Sequence, residues 1–241
     1  FSEIPLLFRD NILPADVALI QVSPPDPEGN CSFGLSADYT YDAAKQAPIV
    51  IAQVNSHYPR TGGVKIHLDE ITYLVPQDEP IIELKPPKIG EVEEKIGSNV
   101  ASLVQDGDTL QLGIGAIPDA VLLFLKHKKN LGIHSEMFSD GVVELAEAGV
   151  ITNRDKTLHP GKFVATFLMG TRRLYDFVDN NPDVLLYPAT YTNDPCVIGE
   201  NDNMVSINSA LQVDFMGQVN AEVIGGNQFS GIGGQVDFIR S

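Results

Sequence analysis

The sequence has 241 residues, of which 43% are hydrophobic and 20% are charged, so it can bury a sizeable core and is not expected to be disordered. Its 32 acidic and 16 basic residues give a net charge of −16, which disfavours binding to nucleic acid or to an anionic membrane surface. No apolar run approaches the roughly 20 residues of a membrane-spanning helix, and the first residues lack the features of a signal peptide, so we expect a cytoplasmic protein without a membrane partner.

The first third of the sequence contains two predicted strands of similar design. Residues 16–34, DVALIQVSPPDPEGNCSFG, begin with an apolar, β-branched run and continue into a loop rich in Pro, Asp and Gly, and residues 48–63 repeat this pattern. The runs lack polar/apolar alternation, which is typical of a largely parallel sheet with helices on both faces. A short helix is predicted between them, over residues 41–47.

A proline-rich break at residues 85–88, KPPK, divides the sequence. We therefore predict two related α/β domains, the remainder of an N-terminal one over residues 1–86 and an incomplete C-terminal one over residues 87–241. A helix directly after the break is predicted by apolar residues at helical spacing, which are Ile89, Val92, Ile96, Val100 and Leu103.

From residue 108 onward, predicted strands and helices alternate. The strands are predicted over residues 108–115, 131–135, 162–170 and 183–189, and the helices over residues 116–129, 141–149 and 171–179. This order is typical of βαβ units and a parallel sheet, in which ligands bind beyond the C-terminal ends of the strands. Residues 204–226 break the pattern with three strand-like runs separated by short turns, and we expect antiparallel strands to join the sheet there.

Two glycine loops are candidates for binding an anion or a carbonyl oxygen through backbone N–H groups. GIGAIPDA, residues 113–120, joins a predicted strand to a predicted helix, but it lacks the third glycine of a dinucleotide fingerprint and the lysine of a Walker motif. SGIGGQVD, residues 230–237, has three glycines in four positions. A tight structural turn without a ligand explains either loop as well.

Glu136, in HSEMFSDG, follows a predicted strand at the edge where parallel sheets present functional groups. Its carboxylate is a candidate nucleophile or general base, or else a cap for the next helix, a role that Asp140 fits better by position. His134 precedes it by two residues, so both side chains are expected on the same side of the strand. A structural role for His134 fits this position better than a catalytic one.

Other common site chemistries lack support in the sequence. Cys31 and Cys196 have no metal-ligand spacing and are expected to be reduced thiols, and the five histidines show no HxH or HExxH pattern, so no metal site is predicted. The serines have no GxSxG context, which leaves a serine-hydrolase triad unsupported.

Several motifs in a fixed order resemble the acetyl-CoA hydrolase/transferase family, and in particular its members that act on 4-hydroxybutyrate and butyrate. The motifs are GIGAIPDA, HSEMFSDGVVELAEAGVITN, LHPGKFVATFLMG, YTNDP and SGIGGQVDF. The resemblance implies a NagB/RpiA/CoA-transferase-like α/β fold, no permanently bound cofactor, coenzyme A as a substrate, and a homodimer or higher homo-oligomer. Members of this family extend beyond both ends of the sequence, so a fragment is expected.

The resemblance also implies roles for individual residues. Glu136 matches the glutamate that is acylated and then carries CoA as a thioester, and Asn193 and the backbone N–H of Gly233 match the oxyanion hole. Residues near the acyl and pantetheine end of CoA are matched by Gly113, Gly115, Ala116, Gly231 and Gly234.

These matches predict a transfer of CoA between short-chain carboxylic acids, 4-hydroxybutyrate or butyrate with acetate, with acyl-CoA and carboxylates as partners. Two alternatives stay open. The same glutamate thioester could be hydrolysed by water, which makes an acyl-CoA hydrolase, or the fold could be a non-catalytic module that binds CoA or a sugar phosphate.

Overall fold

The structure is a computed structural model that describes residues 1–241, and short helices alternate with short strands along most of the chain. The helices are α1 (Ile4–Arg9), α2 (Thr40–Gln46), α3 (Glu91–Ala101), α4 (Ala116–Leu123), α5 (Asp140–Glu147), α6 (Arg172–Val178), α7 (Ala189–Thr192), α8 (Pro195–Gly199) and α9 (Gln235–Ile239), with a 3-10 helix at Leu68–Glu70. None of them has the length and apolarity that crossing a membrane requires.

The strands are β1 (Val17–Val22), β2 (Asn30–Ser32), β3 (Ile49–Val54), β4 (Gly62–Gly63), β5 (Lys65–His67), β6 (Tyr73–Pro76), β7 (Thr109–Leu112), β8 (Gly132–Ile133), β9 (Met137–Phe138), β10 (Phe163–Ala165), β11 (Phe167–Leu168), β12 (Val184–Leu186), β13 (Met204–Ile207), β14 (Gln212–Val213), β15 (Val219–Asn220), β16 (Val223–Ile224) and β17 (Asn227–Gln228). Most of the pairings between them are parallel, as predicted for the α/β fold.

The N-terminal strands form a parallel sheet in the order β1-β3-β6. The register runs from Val17 opposite Ile49 to Val22 opposite Val54, so both predicted strands are confirmed, as is the helix α2 between them. Burial alternates along β1, and Leu19 is 74% exposed. Within residues 1–241, one face of this sheet therefore carries exposed apolar side chains. The sequence prediction, based on unbroken apolar runs, was burial on both faces.

The central sheet carries the strand end at which Glu136 is predicted to lie. Its order is β11-β9-β7-β13, with β8 also paired to β7. Its pairings are parallel except that between β7 and β9, where Leu112 lies opposite Met137. The prediction of a strand, a glycine loop and a helix is confirmed by β7 and α4, which has Pro118 in its first turn.

The predicted strand over residues 162–170 is in fact two strands in different sheets. β10 pairs with β12, which also pairs with β4 from the first third of the chain, whereas β11 pairs with β9 in the central sheet. Between the two strands, the backbone N–H of Thr166 donates to the carbonyl of Glu136. This segment thus connects two sheets beside Glu136.

The helix α3 is confirmed, but its buried face differs from the predicted apolar stripe. Val92 and Leu103 are exposed, and the buried residues are Gly97 and Ala101. A Cβ atom at Gly97 would lie 2.7 Å from the carbonyl carbon of Ala120 in α4. The two helices therefore approach closely through small residues, for which the apolar periodicity gives no signal.

The C-terminal tail only partly follows its prediction. β13 is parallel to β7 and completes the edge of the central sheet. The antiparallel strands exist, but they form two separate hairpins, β14-β15 and β16-β17, outside the central sheet. The expectation that they join the sheet was wrong, because the turns between these short runs close local hairpins.

Residues 77–90, which include KPPK, have no regular secondary structure and lie across the start of α6. The backbone N–H of Leu84 donates to the carbonyl of Gly170, and the Tyr175 hydroxyl donates to the carbonyl of Ile82. A hydrophobic core of 35 buried residues includes residues from both sides of this segment. The domain boundary between residues 86 and 87 stays a prediction.

Candidate active site

Glu136 lies in the short connection between β8 and β9. Its carbonyl accepts hydrogen bonds from the backbone N–H groups of Thr166 and Phe167, at 2.9 and 3.1 Å. Its neighbours Ser135 and Met137 are buried, and its own side chain is half-buried. The backbone at this position is therefore fixed on both sides, which restricts the direction of the carboxylate.

The carboxylate of Glu136 is held by the side-chain amide of Asn193. Nδ2 of Asn193 donates to Oε2 of Glu136 at 2.8 Å, and Asn193 is 0% exposed. Asn193 directly follows α7, so the helix end sets its position. The structure thus brings together the two residues that the resemblance implies as nucleophile and oxyanion-hole donor.

His134 is bound to the residue next to Asn193. Its Nε2 donates to the carbonyl of Thr192 at 2.9 Å, and Nδ1 accepts from the side chain of Asn201 at 3.3 Å, so both ring nitrogens have partners when the ring is neutral. Burial lowers the pKa of His134 to about 4, which keeps the ring neutral at physiological pH. The contacts of His134 agree with the structural role expected for it, since they stabilise the residue next to Asn193.

The second glycine loop covers the same carboxylate. A Cβ atom at Gly234 would lie 1.8 Å from Oε2 of Glu136 and 2.2 Å from Nδ2 of Asn193, whereas a Cβ at Gly233 would lie 3.8 Å from Oε1 of Glu136. Gly233 has a φ of +59°, a left-handed conformation that favours glycine. The lack of a side chain at Gly234 thus leaves room for the contact between Glu136 and Asn193. The role of the Gly233 N–H stays a prediction.

Neither capping role suggested for the acidic residues of this segment is present. Ser139 precedes the first residue of α5 and makes no side-chain cap, while the carboxylate of Asp140 accepts from the backbone N–H and the hydroxyl of Thr171. The expectation that Asp140 caps α5 was wrong, because Asp140 is already inside the helix and its side chain instead binds the residue that precedes α6. The Glu136 carboxylate therefore does not cap α5 and instead accepts a hydrogen bond from Asn193.

Burial raises the pKa of the Glu136 carboxyl, although the hydrogen bond from Asn193 acts in the opposite direction. The carboxylates of Asp237 and Asp38 raise the same pKa further by repulsion. A carboxylate that has lost part of its hydration is a better nucleophile than a fully hydrated one.

Two clefts meet at Glu136. The smaller one has a volume of about 240 Å³ and contains three of the predicted loop glycines besides Gly233, namely Gly113, Gly231 and Gly234. The larger one, of about 800 Å³, is more apolar and opens on the side of the N-terminal sheet. No lysine, arginine or histidine side chain lines either cleft. A ligand with two arms can therefore reach Glu136 from both sides.

Two predicted binding residues lie outside these clefts. Gly115 lines a separate cavity of about 310 Å³ between α4, α5 and residues 84–89. Ala116 begins α4 and lines none of the three cavities. Their contact with CoA stays a prediction.

Sequence reasoning missed Asp237, which is buried beside Asn193. Its Oδ2 lies 3.5 Å from Nδ2 of Asn193. Asp237 follows Gly234 by three residues, and α9 returns its side chain toward the same amide. The segment GGQVDF contains Asp237, but its contact with Asn193 joins two distant segments and therefore leaves no local signal in the sequence.

Comparison with known proteins agrees with this geometry. The model of the acetyl-CoA hydrolase/transferase N-terminal domain matches residues 1–86, and that of the C-terminal domain matches residues 170–241, together more than half of the chain. The chain is 66% identical over 241 residues to the 4-hydroxybutyrate coenzyme A transferase of Clostridium kluyveri, covering 100% of this chain and 56% of that protein. It is 51% identical to the succinyl-CoA:acetate/propanoyl-CoA:succinate CoA transferase of Fasciola hepatica, covering 99% of this chain and 50% of that protein.

A solved structure gives the same result. The 4-hydroxybutyrate CoA-transferase of Porphyromonas gingivalis superposes with a TM-score of 0.92 at 51% identity, over 100% of this chain and 58% of that one. The chain thus spans about half of the length of the relatives that it matches. With both domain models matched and sequence identity that extends over the whole chain, this protein belongs to the acetyl-CoA hydrolase/transferase family.

Proposed function

We propose that the protein is a CoA-transferase that moves CoA between short-chain carboxylic acids, 4-hydroxybutyrate or butyrate with acetate, through a thioester on Glu136. The observation that carries the proposal is the half-buried Glu136 carboxylate, which contacts the Asn193 amide at 2.8 Å and lies against Gly234. Family membership supports the same reaction class. Coenzyme A is a substrate in this proposal, and no permanently bound cofactor takes part.

The first half-reaction begins with attack by the Glu136 carboxylate on the thioester carbonyl of acyl-CoA. Collapse of the tetrahedral oxyanion expels the CoA thiolate and leaves a mixed anhydride between the acyl group and Glu136. The thiolate then attacks the glutamyl carbonyl, which releases the first carboxylic acid as its carboxylate and forms the glutamyl-CoA thioester. The acceptor carboxylate runs the two steps in reverse, which implies ping-pong kinetics.

The contact of Asn193 assigns it to particular steps of this sequence. Its Nδ2 lies against an oxygen of Glu136 itself, so it is placed to stabilise the oxyanion that forms when the glutamyl carbonyl is attacked. The glutamyl carbonyl is attacked twice, first by the CoA thiolate on the anhydride and later by the acceptor carboxylate on the thioester. A donor to the oxyanion on the substrate carbonyl must come from another group, for which the backbone N–H of Gly233, in the same cleft as Glu136, is our candidate.

The two clefts provide room for the two arms of a thioester. We assign the pantetheine arm to the smaller, glycine-lined cleft at Gly113 and Gly231, since backbone can approach the ligand closely there. The acyl group then occupies the larger and more apolar cleft. Binding energy from the remote nucleotide is available to orient and dehydrate the reacting groups.

The charge around Glu136 favours acids with an uncharged tail. The smaller cleft contains Glu222, the larger one contains Asp38, Glu79 and Glu83, and neither contains a basic side chain. A second carboxylate on the substrate would be desolvated there without a partner, which costs free energy. The charges that residues 1–241 contribute therefore support monocarboxylates such as butyrate and 4-hydroxybutyrate over dicarboxylates.

We place the protein in the cytoplasm as a homo-oligomer. The resemblance of its motifs to the acetyl-CoA hydrolase/transferase family supports this placement.

The decisive experiment traps the thioester. The full-length protein is incubated with butyryl-CoA, reduced with borohydride and digested, and the peptides are mapped by mass. Borohydride reduces a glutamyl thioester to a primary alcohol, so we expect the modified peptide to contain HSEMFSDG with Glu136 converted. The Glu136→Gln variant is the matched control and should give no modified peptide.

Two further results would replace the proposal. Thioester formation followed by release of CoA that does not depend on an added carboxylate indicates hydrolysis of the glutamyl thioester by water. Butyryl-CoA binding without any modification of Glu136, and without turnover, indicates a non-catalytic CoA-binding module.

A further inference from the structure

Asp237 is a buried carboxylate that the proposed reaction does not use. It is 3% exposed, and its polar contacts include the backbone N–H and hydroxyl of Ser2, each at 3.0 Å, Nη2 of Arg240 at 3.4 Å and Nδ2 of Asn193 at 3.5 Å. Burial raises the pKa of Asp237, and the two hydrogen bonds from Ser2 act in the opposite direction. Both of its oxygens accept hydrogen bonds from Ser2, an arrangement that fits the acceptor-only carboxylate anion.

The amide of Asn193 lies between two carboxylates. Nδ2 is 2.8 Å from Oε2 of Glu136 and 3.5 Å from Oδ2 of Asp237, so its two hydrogens can serve both acceptors. The Oδ1 atom of Asn193 is buried without a hydrogen-bond partner. A rotation of the amide by half a turn would place Oδ1 against both anions, which is repulsive. The two carboxylates together therefore fix which end of the amide faces Glu136.

The proposed reaction removes one of these two anions. In the anhydride and in the thioester, Glu136 is an uncharged acyl group, and its pull on the Asn193 N–H weakens. Asp237 takes no part in the bond changes and keeps its charge through every intermediate. At the stage when the glutamyl oxygen needs a donor, Asp237 is the remaining anion in contact with the amide.

Resting on the proposed function, we propose that Asp237 is a positioning residue that keeps Nδ2 of Asn193 directed at the glutamyl oxygen of residue 136 while that residue is acylated. Asp237 makes no contact with the substrate in this account. It acts through Asn193, which distinguishes it from a residue that only anchors Ser2 to α9.

The test is a double-mutant cycle in the full-length protein, with the rate of CoA transfer from butyryl-CoA to acetate as the readout. Asp237→Asn removes the charge at nearly constant shape, and Ser2→Ala removes one donor to the same carboxylate but leaves the charge. We expect Asp237→Asn to lower kcat by about tenfold to a hundredfold, the range for a displaced catalytic group, while KM for butyryl-CoA changes little. Ser2→Ala should keep the kcat of the unmodified protein.

The cycle then asks whether Asp237 acts through Asn193. In an Asn193→Ala background, Asp237→Asn should cause no further loss of kcat, because the group it orients is absent. The acid limb of the kcat profile should also move to lower pH in Asp237→Asn, since an anion that repels the Glu136 carboxylate has been removed. Asp38, the other acidic neighbour that raises the pKa of Glu136, is unchanged in all variants.

Other outcomes overturn the proposal. Full additivity of the two substitutions, or equal losses in Asp237→Asn and Ser2→Ala that follow their melting temperatures, leaves Asp237 with a structural role only. If Asp237→Asn does not fold, Asp237→Glu replaces it in the same cycle, and its loss of kcat must likewise disappear in the Asn193→Ala background. An unmodified protein without transferase activity or a trapped thioester would contradict the proposed function instead.

Discussion

The side-chain nitrogen of Asn193 lies 2.8 Å from an oxygen of Glu136, although the two residues are 57 positions apart in the sequence. The contact joins the end of α7 to the connection between β8 and β9. Because Asn193 is fully buried, the amide is held in place before any substrate binds. Preorganised donors of this kind stabilise a developing oxyanion without a reorganisation cost.

Asn193→Ala should lower kcat for CoA transfer by about 10²–10³-fold, the loss measured for removal of one oxyanion-hole donor. The rate of glutamyl-thioester formation should fall with it, since the donor serves the attack on the glutamyl carbonyl. Formation of acetyl-CoA from butyryl-CoA and acetate measures kcat, and rapid-quench trapping of the thioester measures its rate of formation. A melting temperature that stays close to that of the unmodified protein excludes unfolding as the cause, and an unchanged kcat would contradict the role assigned to Asn193.

Gly234→Ala should abolish thioester formation. The added methyl group would lie 1.8 Å from Oε2 of Glu136 and 2.2 Å from Nδ2 of Asn193, so their hydrogen bond must break or the loop must move. The matched control is Gly231→Ala, where a Cβ meets no atom within 4 Å, and this variant should keep its melting temperature. Borohydride trapping and thermal unfolding on both variants provide the comparison. Normal trapping in Gly234→Ala would show that the loop is not held against Glu136.

The local elements were predictable because their signals are local. Apolar runs, glycine turns and Pro118 identify β1, β3, β7 and α4, and the structure confirms them. The buried face of α3 was not predictable in this way, because Gly97 and Ala101 pack by being small and not by being apolar. Strand pairing is also non-local, so the division of residues 162–170 between two sheets leaves no trace in the hydrophobic pattern.

The site shows the same division between local and distant information. Glu136 and the glycine loops were visible as motifs, and their resemblance to a known family gave them a place in a reaction. The contact between Asn193 and Glu136, and the position of Asp237 behind both, depend on how three distant segments meet. No spacing rule within one segment predicts such a meeting.

Glu136→Gln should make the protein more stable at pH 7. Burial raises the pKa of Glu136 above its ordinary value of 4.5, so the folded state disfavours the charged form, and this penalty is fully present above the folded pKa. Glutamine has nearly the same shape without the charge and escapes the penalty. The free energies of unfolding, measured in urea between pH 4 and pH 8, should differ most at neutral pH, converge as the pH falls through the folded pKa, and meet below the ordinary value.

The same measurement has a clear contrary outcome. If Glu136→Gln is less stable than the unmodified protein at pH 7, the hydrogen bond from Asn193 outweighs burial, and Glu136 is not a destabilised nucleophile.

His134 should make the protein sensitive to acid between about pH 6.5 and pH 4. Its folded pKa of about 4 lies below the unfolded value of 6.5, so the unfolded state binds more protons in this window and stability falls as the pH falls through it. The shift corresponds to about 3 kcal/mol. His134→Asn should lose this part of the pH dependence in urea titrations. An equal slope in both proteins would mean that His134 titrates as it does in the unfolded chain.

Succinate should be a much poorer acceptor than 4-hydroxybutyrate, although both have four carbons. They differ at the far end, where one carries a carboxylate and the other a hydroxyl, and residues 1–241 place no basic side chain in either cleft at Glu136. Desolvating the second carboxylate among Asp38, Glu79 and Glu83 is opposed by repulsion and has no ion pair to offset it. We expect kcat/KM in the full-length protein to favour 4-hydroxybutyrate by at least about tenfold, which corresponds to 1.4 kcal/mol. The preference should shrink as ionic strength rises, because salt screens the repulsion of the second carboxylate, a group that 4-hydroxybutyrate lacks. Equal kcat/KM values for the two acids at low salt would show that a cation reaches the acyl end of the site and that its selectivity is not set by these carboxylates.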